Sequence, residues 1–329
     1  MFGEKTLNLS RRSISLWLPT QTGQLQLQAI RLAPAGEPGV FFWFSAKGEC
    51  MRKRKGKSSP GPYLIHAELL PDRIATPDQL PYCLPSIRNL GTLQFHPKAT
   101  FFVGENGSGK STLLEAIAIG SGLNPEGGSR NFNFATRPSH SRLDEALRLA
   151  KSYRLPGDSY FLRAESFFNV ASEIERLDKE PGGPPIIGAY GGKSLHEQSH
   201  GESFFALFRN RFRNNGLYLM DEPEAALSPK RQLEFLALLH DYCKRGCQFV
   251  IATHSPIIMA YPDTVIYVFG DEGIRQVAFT ETEHYLVTRG FLSNPQRSFD
   301  VLFADDDAAE SSETPESIGT GKQAGDEGA

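Results

Sequence analysis

The chain has 329 residues, of which 40% are hydrophobic and 22% are charged, enough for one sizeable globular domain or two small ones. Its formal net charge of −3 gives no global reason to expect nucleic-acid binding, although a local basic patch stays open. No apolar run has the ~18 residues that a membrane span needs, the start does not resemble a signal peptide, and the four cysteines lack zinc or thioredoxin spacing. We therefore expect a reduced, cytoplasmic protein without direct membrane insertion.

Residues 1–62 are predicted to be a poorly ordered or non-native N-terminal extension. Short apolar runs at 14–18 and 40–44 alternate with polar, Pro-rich and Gly-rich segments, without a sustained period. The basic cluster at 51–62 is typical of a solvated linker, with a nucleic-acid arm as the alternative. Met51 and the polar residues after it resemble an ordinary protein start, so we expect the first fifty residues to be dispensable.

From residue 63 onward, the pattern predicts alternating strands and helices. Strands are expected at 63–69, 91–95, 101–103, 160–162, 216–220 and 249–252, and helices at 142–151 and 167–177. Cys243 and Cys247, four residues apart, are predicted to share one face of a helix. Residues 271–288 are predicted to form two strands joined by a turn and then a loop or helix. The acidic segment 304–329 is expected to be disordered.

A glycine-rich loop follows the apolar run at 101–103 and precedes an apolar-periodic helix. Its pattern, Gly104-x-x-x-x-Gly109-Lys110-Ser111, is that of a phosphate-binding loop in the context that the pattern requires. Glycines let successive N–H groups point at phosphate oxygens, and the helix N-terminus adds its positive dipole end. Lys110 is predicted to reach the β- and γ-phosphates and Ser111 to hold Mg²⁺. The predicted nucleotide-binding residues of this loop are Gly104, Glu105, Asn106, Gly107, Ser108, Gly109, Lys110, Ser111 and Thr112.

Two further strands end in residues that match this chemistry. The apolar run 216–220 ends at Asp221 and Glu222, so we predict that Asp221 serves Mg²⁺ and that Glu222 orients or deprotonates the attacking water. The run 249–252 ends in Thr253 and His254, and a histidine there can hydrogen-bond a γ-phosphate. The predicted catalytic residues are therefore Glu222 and His254.

Together these segments resemble a known family. Residues 104–112, 199–203, 217–224 and 253–256 look like the Walker A, signature, Walker B and switch-histidine motifs of ABC-type P-loop ATPases. The chain resembles their soluble RecF/SMC-like branch, and most closely its small stand-alone bacterial ATPases, over roughly residues 63–304. The resemblance implies an α/β P-loop NTPase domain at 63–303. It would have a mixed central sheet, a β-rich edge and a small helical lid at about 121–200.

The resemblance also implies a function and a set of partners. Family members hydrolyse ATP with Mg²⁺ and often pair head-to-tail, so we expect an ATP-dependent homodimer in which Ser199, Gly201 and Glu202 contact the nucleotide of the second copy. Three departures limit this transfer. The signature reads Ser-His-Gly-Glu-Ser instead of Leu-Ser-Gly-Gly-Gln, the segment after Walker B lacks its final aspartate, and Glu165 occupies the place of the lid glutamine.

Other functions stay open at this stage. The chain could be a nucleotide-gated clamp or scaffold in DNA repair or defence, stimulated by DNA or by an unidentified protein partner. It could also be the ATPase subunit of a transporter, through a separate membrane partner. A kinase is the weakest alternative, because nothing in the sequence forms an acceptor site. Arg209, Arg211 and Arg213 suit either the dipole of a helix C-terminus or a DNA contact.

Overall fold

In the computed structural model, residues 62–129, 141–165, 167–178, 186–190, 192, 194, 196 and 200–303 are described, together with two strands nearer the N-terminus. These two strands, β1 (Ser13–Pro19) and β2 (Leu25–Arg31), pair antiparallel. The rest of the predicted extension up to residue 61, and the predicted acidic tail at 304–329, lie outside the described residues. The chain divides into two compact units, Met1–Phe279 and Thr280–Ala329.

The further strands of the first unit are β3 (Leu64–Leu69), β4 (Thr92–Gln94), β5 (Ala99–Gly104), β6 (Gly128–Ser129), β7 (Leu147–Lys151), β8 (Asp158–Arg163), β9 (Gly216–Asp221), β10 (Gln248–Ala252), β11 (Val265–Gly270) and β12 (Gly273–Val277). Its helices are α1 (Pro85–Arg88), α2 (Lys110–Gly120), α3 (Leu143–Ala146), α4 (Phe167–Asp178), α5 (His200–Asn210), α6 (Pro229–Lys244) and α7 (Pro256–Met259).

The large sheet positions the candidate site. Over the described residues it has seven strands in the order β12-β11-β5-β10-β9-β8-β6. Strands β11, β5, β10, β9 and β8 run parallel, and the two edge strands β12 and β6 pair antiparallel. Every residue of β5, β9 and β10 is buried, as the continuous apolar runs predict for central parallel strands. The expected mixed α/β fold is confirmed.

Successive residues of a strand point to opposite faces, and the core divides accordingly. Phe101 packs in one cluster with side chains of α5 and α6, whereas its neighbour Phe102 packs in another with side chains of α2. The first cluster is rich in aromatic rings; Phe208 of α5, for example, packs edge-to-face on Phe235 of α6 with ring centroids 5.3 Å apart. Helices therefore cover both faces of the sheet, which leaves the carboxyl ends of its strands to build a site.

A small sheet of order β4-β3-β7 is joined to the large one through a buried amide. The side chain of Gln248, at the start of β10, accepts from the backbone N–H groups of Tyr63 and Leu64 at 2.8 and 2.9 Å. Its amide nitrogen donates to Leu64 O and His96 O at 2.9 and 3.1 Å. One side chain thus satisfies four backbone groups of the small sheet and its connection.

The predicted helix at 142–151 is wrong over most of its length. Only Leu143–Ala146 is helical, and Leu147–Lys151 forms β7, which pairs antiparallel with β3. The apolar residues of this segment fit a helical spacing, but pairing with a distant strand satisfies its backbone and decides its conformation.

The predicted helical pairing of Cys243 and Cys247 is also wrong. Helix α6 ends at Lys244, and Gly246 then adopts a φ of +81°, which turns the chain out of the helix. Cys247 therefore lies in the connection before β10, where its thiol donates to Arg213 O. Burial raises the pKa of the Cys243 thiol to about 12 and that of Cys247 to about 11, as expected for unreactive buried thiols.

The second unit contains α8 (Glu283–Ser293) and α9 (Pro295–Leu302). Each begins at a side-chain cap, from Thr282 and Asn294 respectively, and Phe291 and Phe299 pack with ring centroids 5.7 Å apart. The prediction of two strands within 271–288 is wrong. This region holds β12 and the start of α8, whereas β11, the strand that pairs with β12, already ends at Gly270. Among the described residues, no helix combines the length and apolar character that crossing a bilayer requires.

Candidate nucleotide-binding site

The glycine loop connects β5 to α2, as predicted. Gly104, Gly107 and Gly109 have φ values of +147°, +79° and +98°, a region that residues with a Cβ rarely adopt. Space also favours glycine at position 109, because an added Cβ would lie only 2.9 Å from Ser86 Oγ. Ser86 in turn donates to Ser108 O, so α1 supports the loop from below.

Lys110 is the first residue of α2, and its side chain turns back into the loop. The buried Nζ donates to Gly104 O at 2.8 Å and to Glu105 O at 2.7 Å. Burial lowers the pKa of this lysine, and the nearby carboxylates of Glu222 and Asp221 oppose that shift. The ammonium is thus hydrogen-bonded to two backbone carbonyls of the loop.

The other predicted loop residues differ in their exposure to solvent. Glu105, Asn106 and Gly107 are exposed at the tip of the loop, whereas Ser108 and Thr112 are half-buried. The exposed tip leaves the backbone of the loop accessible to a ligand.

Ser111 and Asp221 are joined across 110 positions of sequence. Ser111 Oγ donates to Asp221 Oδ1 at 2.9 Å. Asp221 is only 5% exposed, and burial raises the pKa of its carboxyl group to about 6, although Arg163 and Ser111 both lower it. A hydroxyl and a carboxylate are oxygen ligands of the kind that Mg²⁺ prefers.

Glu222 and His254 also lie together, at the ends of β9 and β10. Glu222 Oε1 lies 3.7 Å from His254 Nε2, with the carboxylate side chain 40% exposed. The backbone at Glu222 has a φ of +50°, and its N–H donates to Ala252 O at 2.9 Å. The left-handed conformation is uncommon for a residue with a side chain, and such residues occur often at functional sites.

Sequence reasoning gave no role to Glu224, which the structure places behind the histidine. Its carboxylate accepts from the backbone N–H of His254 and interacts with the Thr253 hydroxyl. Burial raises the pKa of this carboxyl group. The close spacing of Glu222 and Glu224 around a proline was visible in the sequence, but the contact with the β10 loop was not.

The signature segment is described in part. Ser199 lies outside the described residues, and Gly201 and Glu202 belong to the first turn of α5. A Cβ on Gly201 would lie 3.3 Å from Ala226 O, so α5 packs closely on the turn after Glu222.

The residues present fit a nucleotide phosphate chain with Mg²⁺. Gly107 has open space on its Cβ side, and Lys110 supplies a buried positive charge within the same loop. Ser111, at the start of α2, and Asp221, at the end of β9, supply two adjacent oxygen ligands.

Two family models match the segments that carry these residues. Residues 85–159 match an "AAA domain", and residues 195–260 match an "AAA domain, putative AbiEii toxin, Type IV TA system". The first segment contains the glycine loop, and the second contains Asp221, Glu222 and His254. Both parts of the site thus lie in segments that match AAA-type domains. The predicted resemblance to P-loop ATPases is confirmed to the level of these AAA-type domains.

Solved structures of ABC cassettes and SMC heads are similar to this chain. The SMC head domain from Thermotoga maritima is 17% identical, with a TM-score of 0.35 over 65% of this chain and 98% of that chain. CbiO1 from Clostridium perfringens, part of the ABC transporter complex CbiONQ, is 18% identical, with a TM-score of 0.39 over 62% of this chain and 88% of its own. No curated protein sequence matches the chain significantly.

Proposed function

We propose that this P-loop domain binds ATP with Mg²⁺ and hydrolyses it in a nucleotide-driven homodimer. The contact between Ser111 Oγ and Asp221 Oδ1 supports this proposal most directly. It brings the hydroxyl of the phosphate loop and the acid of the Walker B strand to one point, where a metal-bound phosphate would meet both.

Each residue of the loop has a separate part in binding. The loop N–H groups and the N-terminus of α2 bind phosphate oxygens, and Lys110 neutralises their charge. Ser111 and Asp221 hold Mg²⁺, which withdraws charge from the phosphate oxygens when bound. Because the Lys110 ammonium is buried and already desolvated, it interacts strongly with an anion in the loop.

Glu222 and His254 would act on the attacking water and on the γ-phosphate. The half-exposed Glu222 carboxylate accepts a proton from the attacking water, and His254 donates a hydrogen bond toward the γ-phosphate. The Glu224 carboxylate accepts a hydrogen bond from the backbone N–H of His254 and so fixes the position of the backbone that carries the imidazole.

The homodimer follows from the family resemblance together with the placement of α5. Gly201 and Glu202 lie in the first turn of that helix, where N–H groups and the positive dipole end favour an anion. A second copy would supply Ser199, Gly201 and Glu202 to the nucleotide of the first. Closure of two such sites excludes water and completes the stabilising charges.

Three experiments test this proposal. Glu222→Gln should form a stable dimer with ATP and Mg²⁺ in light scattering, because the water is not activated while the binding contacts stay. Mixing Lys110→Ala with Gly201→Asp should restore part of the ATPase activity, because each mixed dimer keeps one intact composite site. A monomeric Glu222→Gln protein and no recovery on mixing would refute the shared-site mechanism. Lys110→Ala alone should lose ATP affinity by calorimetry.

A further inference from the structure

Strand β8 ends beside the Walker B strand in an arginine. In the parallel register of β8 and β9, Arg163 lies directly opposite Asp221. The side chain of Arg163 is 20% exposed and that of Asp221 is 7% exposed, so this cation and this anion face each other in a mostly desolvated place. The mechanism proposed above does not use this arginine.

The guanidinium of Arg163 contacts carboxylates from three different segments. Nη1 donates to Glu115 Oε2 at 2.9 Å, and Nη2 donates to Glu165 Oε2 at 3.4 Å. Nε lies 3.7 Å from Asp221 Oδ2 and has no hydrogen-bond partner of its own. Glu115 is on α2, one helical turn after Ser111, and its side chain is 12% exposed. The arginine is therefore anchored to the helix that carries Ser111.

The two oxygens of Asp221 consequently face two different groups. Oδ1 accepts from Ser111, and Oδ2 faces Arg163 Nε. We propose that Arg163 is a positioning residue of the magnesium site, which fixes the orientation of the Asp221 carboxylate through a guanidinium anchored on Glu115. This inference rests on the proposed function, because it assigns a role toward the Mg²⁺ that the function requires.

The chemistry of arginine suits this role and that of lysine does not. A planar guanidinium presents donors in fixed directions, so it can bond Glu115 through Nη1 while Nε faces Asp221. A lysine ammonium is a single point and cannot hold both carboxylates in this geometry. Groups that hold a metal-binding side chain commonly change metal affinity by about 10- to 100-fold when they are removed.

The test compares Mg²⁺-dependent and Mg²⁺-free nucleotide binding. ATP affinity is measured by calorimetry in EDTA and across a Mg²⁺ titration, for the full chain carrying Arg163→Gln or Arg163→Lys. We expect unchanged affinity in EDTA and an apparent Mg²⁺ affinity lowered by about tenfold or more in both variants. Arg148→Gln is the matched control, because Arg148 also bonds a carboxylate, that of Glu68, but its side chain is exposed on the small sheet.

Each outcome decides the question. If Arg163→Gln and Arg148→Gln show the same Mg²⁺ half-saturation, or if Arg163→Gln binds Mg²⁺ more tightly, the positioning role is refuted and the arginine is a structural ion pair. If Arg163→Lys behaves as wild type, charge alone suffices and the geometric argument is refuted. A wild-type protein without any Mg²⁺-dependent gain would overturn the proposed function as well.

A second variant covers the case in which Arg163→Gln does not fold. Glu115→Gln keeps the arginine and weakens only its Nη1 anchor. It should lower the apparent Mg²⁺ affinity in the same direction but by less, again with unchanged affinity in EDTA. Unaltered Mg²⁺ dependence in a folded Glu115→Gln protein would refute the proposed anchoring.

Discussion

Removal of the Asp221 charge should make the metal-free protein more stable. Burial raises the pKa of this carboxyl group from 3.8 to about 6, in spite of Arg163 and Ser111. At about 1.36 kcal/mol for each tenfold change in proton affinity, ionisation of this carboxyl group lowers the free energy of unfolding by about 3 kcal/mol. Asp221→Asn keeps the shape and the acceptor for Ser111 without the charge. We therefore expect a gain of up to about 3 kcal/mol in unfolding free energy near pH 7.5, measured by urea unfolding in EDTA.

The sign of the pH dependence follows from the same shift. The folded state binds the Asp221 proton more tightly than the unfolded chain does, so this group favours the folded state at low pH. That contribution is lost as the pH rises from 3.8 to about 6. The advantage of Asp221→Asn over wild type should accordingly be complete above about pH 6 and fall to roughly half by about pH 5.

Asp158→Asn provides a matched control with the opposite expected sign. Asp158 begins β8 and accepts two hydrogen bonds from Arg211 Nη1, at 3.0 and 2.9 Å, and one from Tyr218 at 3.0 Å. Loss of its charge leaves a mostly buried guanidinium without its partner, which costs about 3–5 kcal/mol in such pairs. The reasoning would be refuted if the Asp221→Asn protein were less stable than wild type at neutral pH. It would also be refuted if the stability difference between the two proteins did not change with pH.

Two further predictions concern the loop and the sheet junction. Gly109→Ala should lower the free energy of unfolding in urea more than Gly107→Ala does. Both glycines have a positive φ, but only at Gly109 would the added Cβ lie 2.9 Å from Ser86 Oγ. The difference between the two variants should be about 1–3 kcal/mol, and equal destabilisation would contradict this prediction. Gln248→Leu should lose more than about 4 kcal/mol, because it leaves four backbone groups without their partner; a loss below about 1 kcal/mol would show that water replaces the amide.

The sequence predicts the part of the site that depends on local spacing. The glycine loop, its flanking strand and helix, and the acids after the run 216–220 all follow from short patterns. The structure places them at the ends of β5 and β9, the two strands on either side of β10. Even the contact between Ser111 and Asp221 is implied, because parallel strands bring their carboxyl ends to one edge.

What could not be predicted depends on which distant segments meet. The segment 147–151 has apolar residues that suit a helix, and only its pairing with β3 makes it a strand. The role of Arg163 depends on β8 lying next to β9, and that of Glu224 depends on the path of the loop after β10. Periodicity and local motifs do not encode these neighbours, since they are properties of strand order.

The ends of the strands explain how two adjacent acids can take different roles. Asp221 is the last residue of β9 and keeps its register with Ala252 and Arg163, so its side chain stays buried against the sheet. At Glu222 the backbone turns to a φ of +50° while its N–H still donates to Ala252 O. The chain is therefore held to β10 at the point where it leaves the strand direction, and the Glu222 carboxylate turns outward to 40% exposure. The buried acid proposed to hold the metal and the exposed acid proposed to act on water thus differ because one strand ends between them.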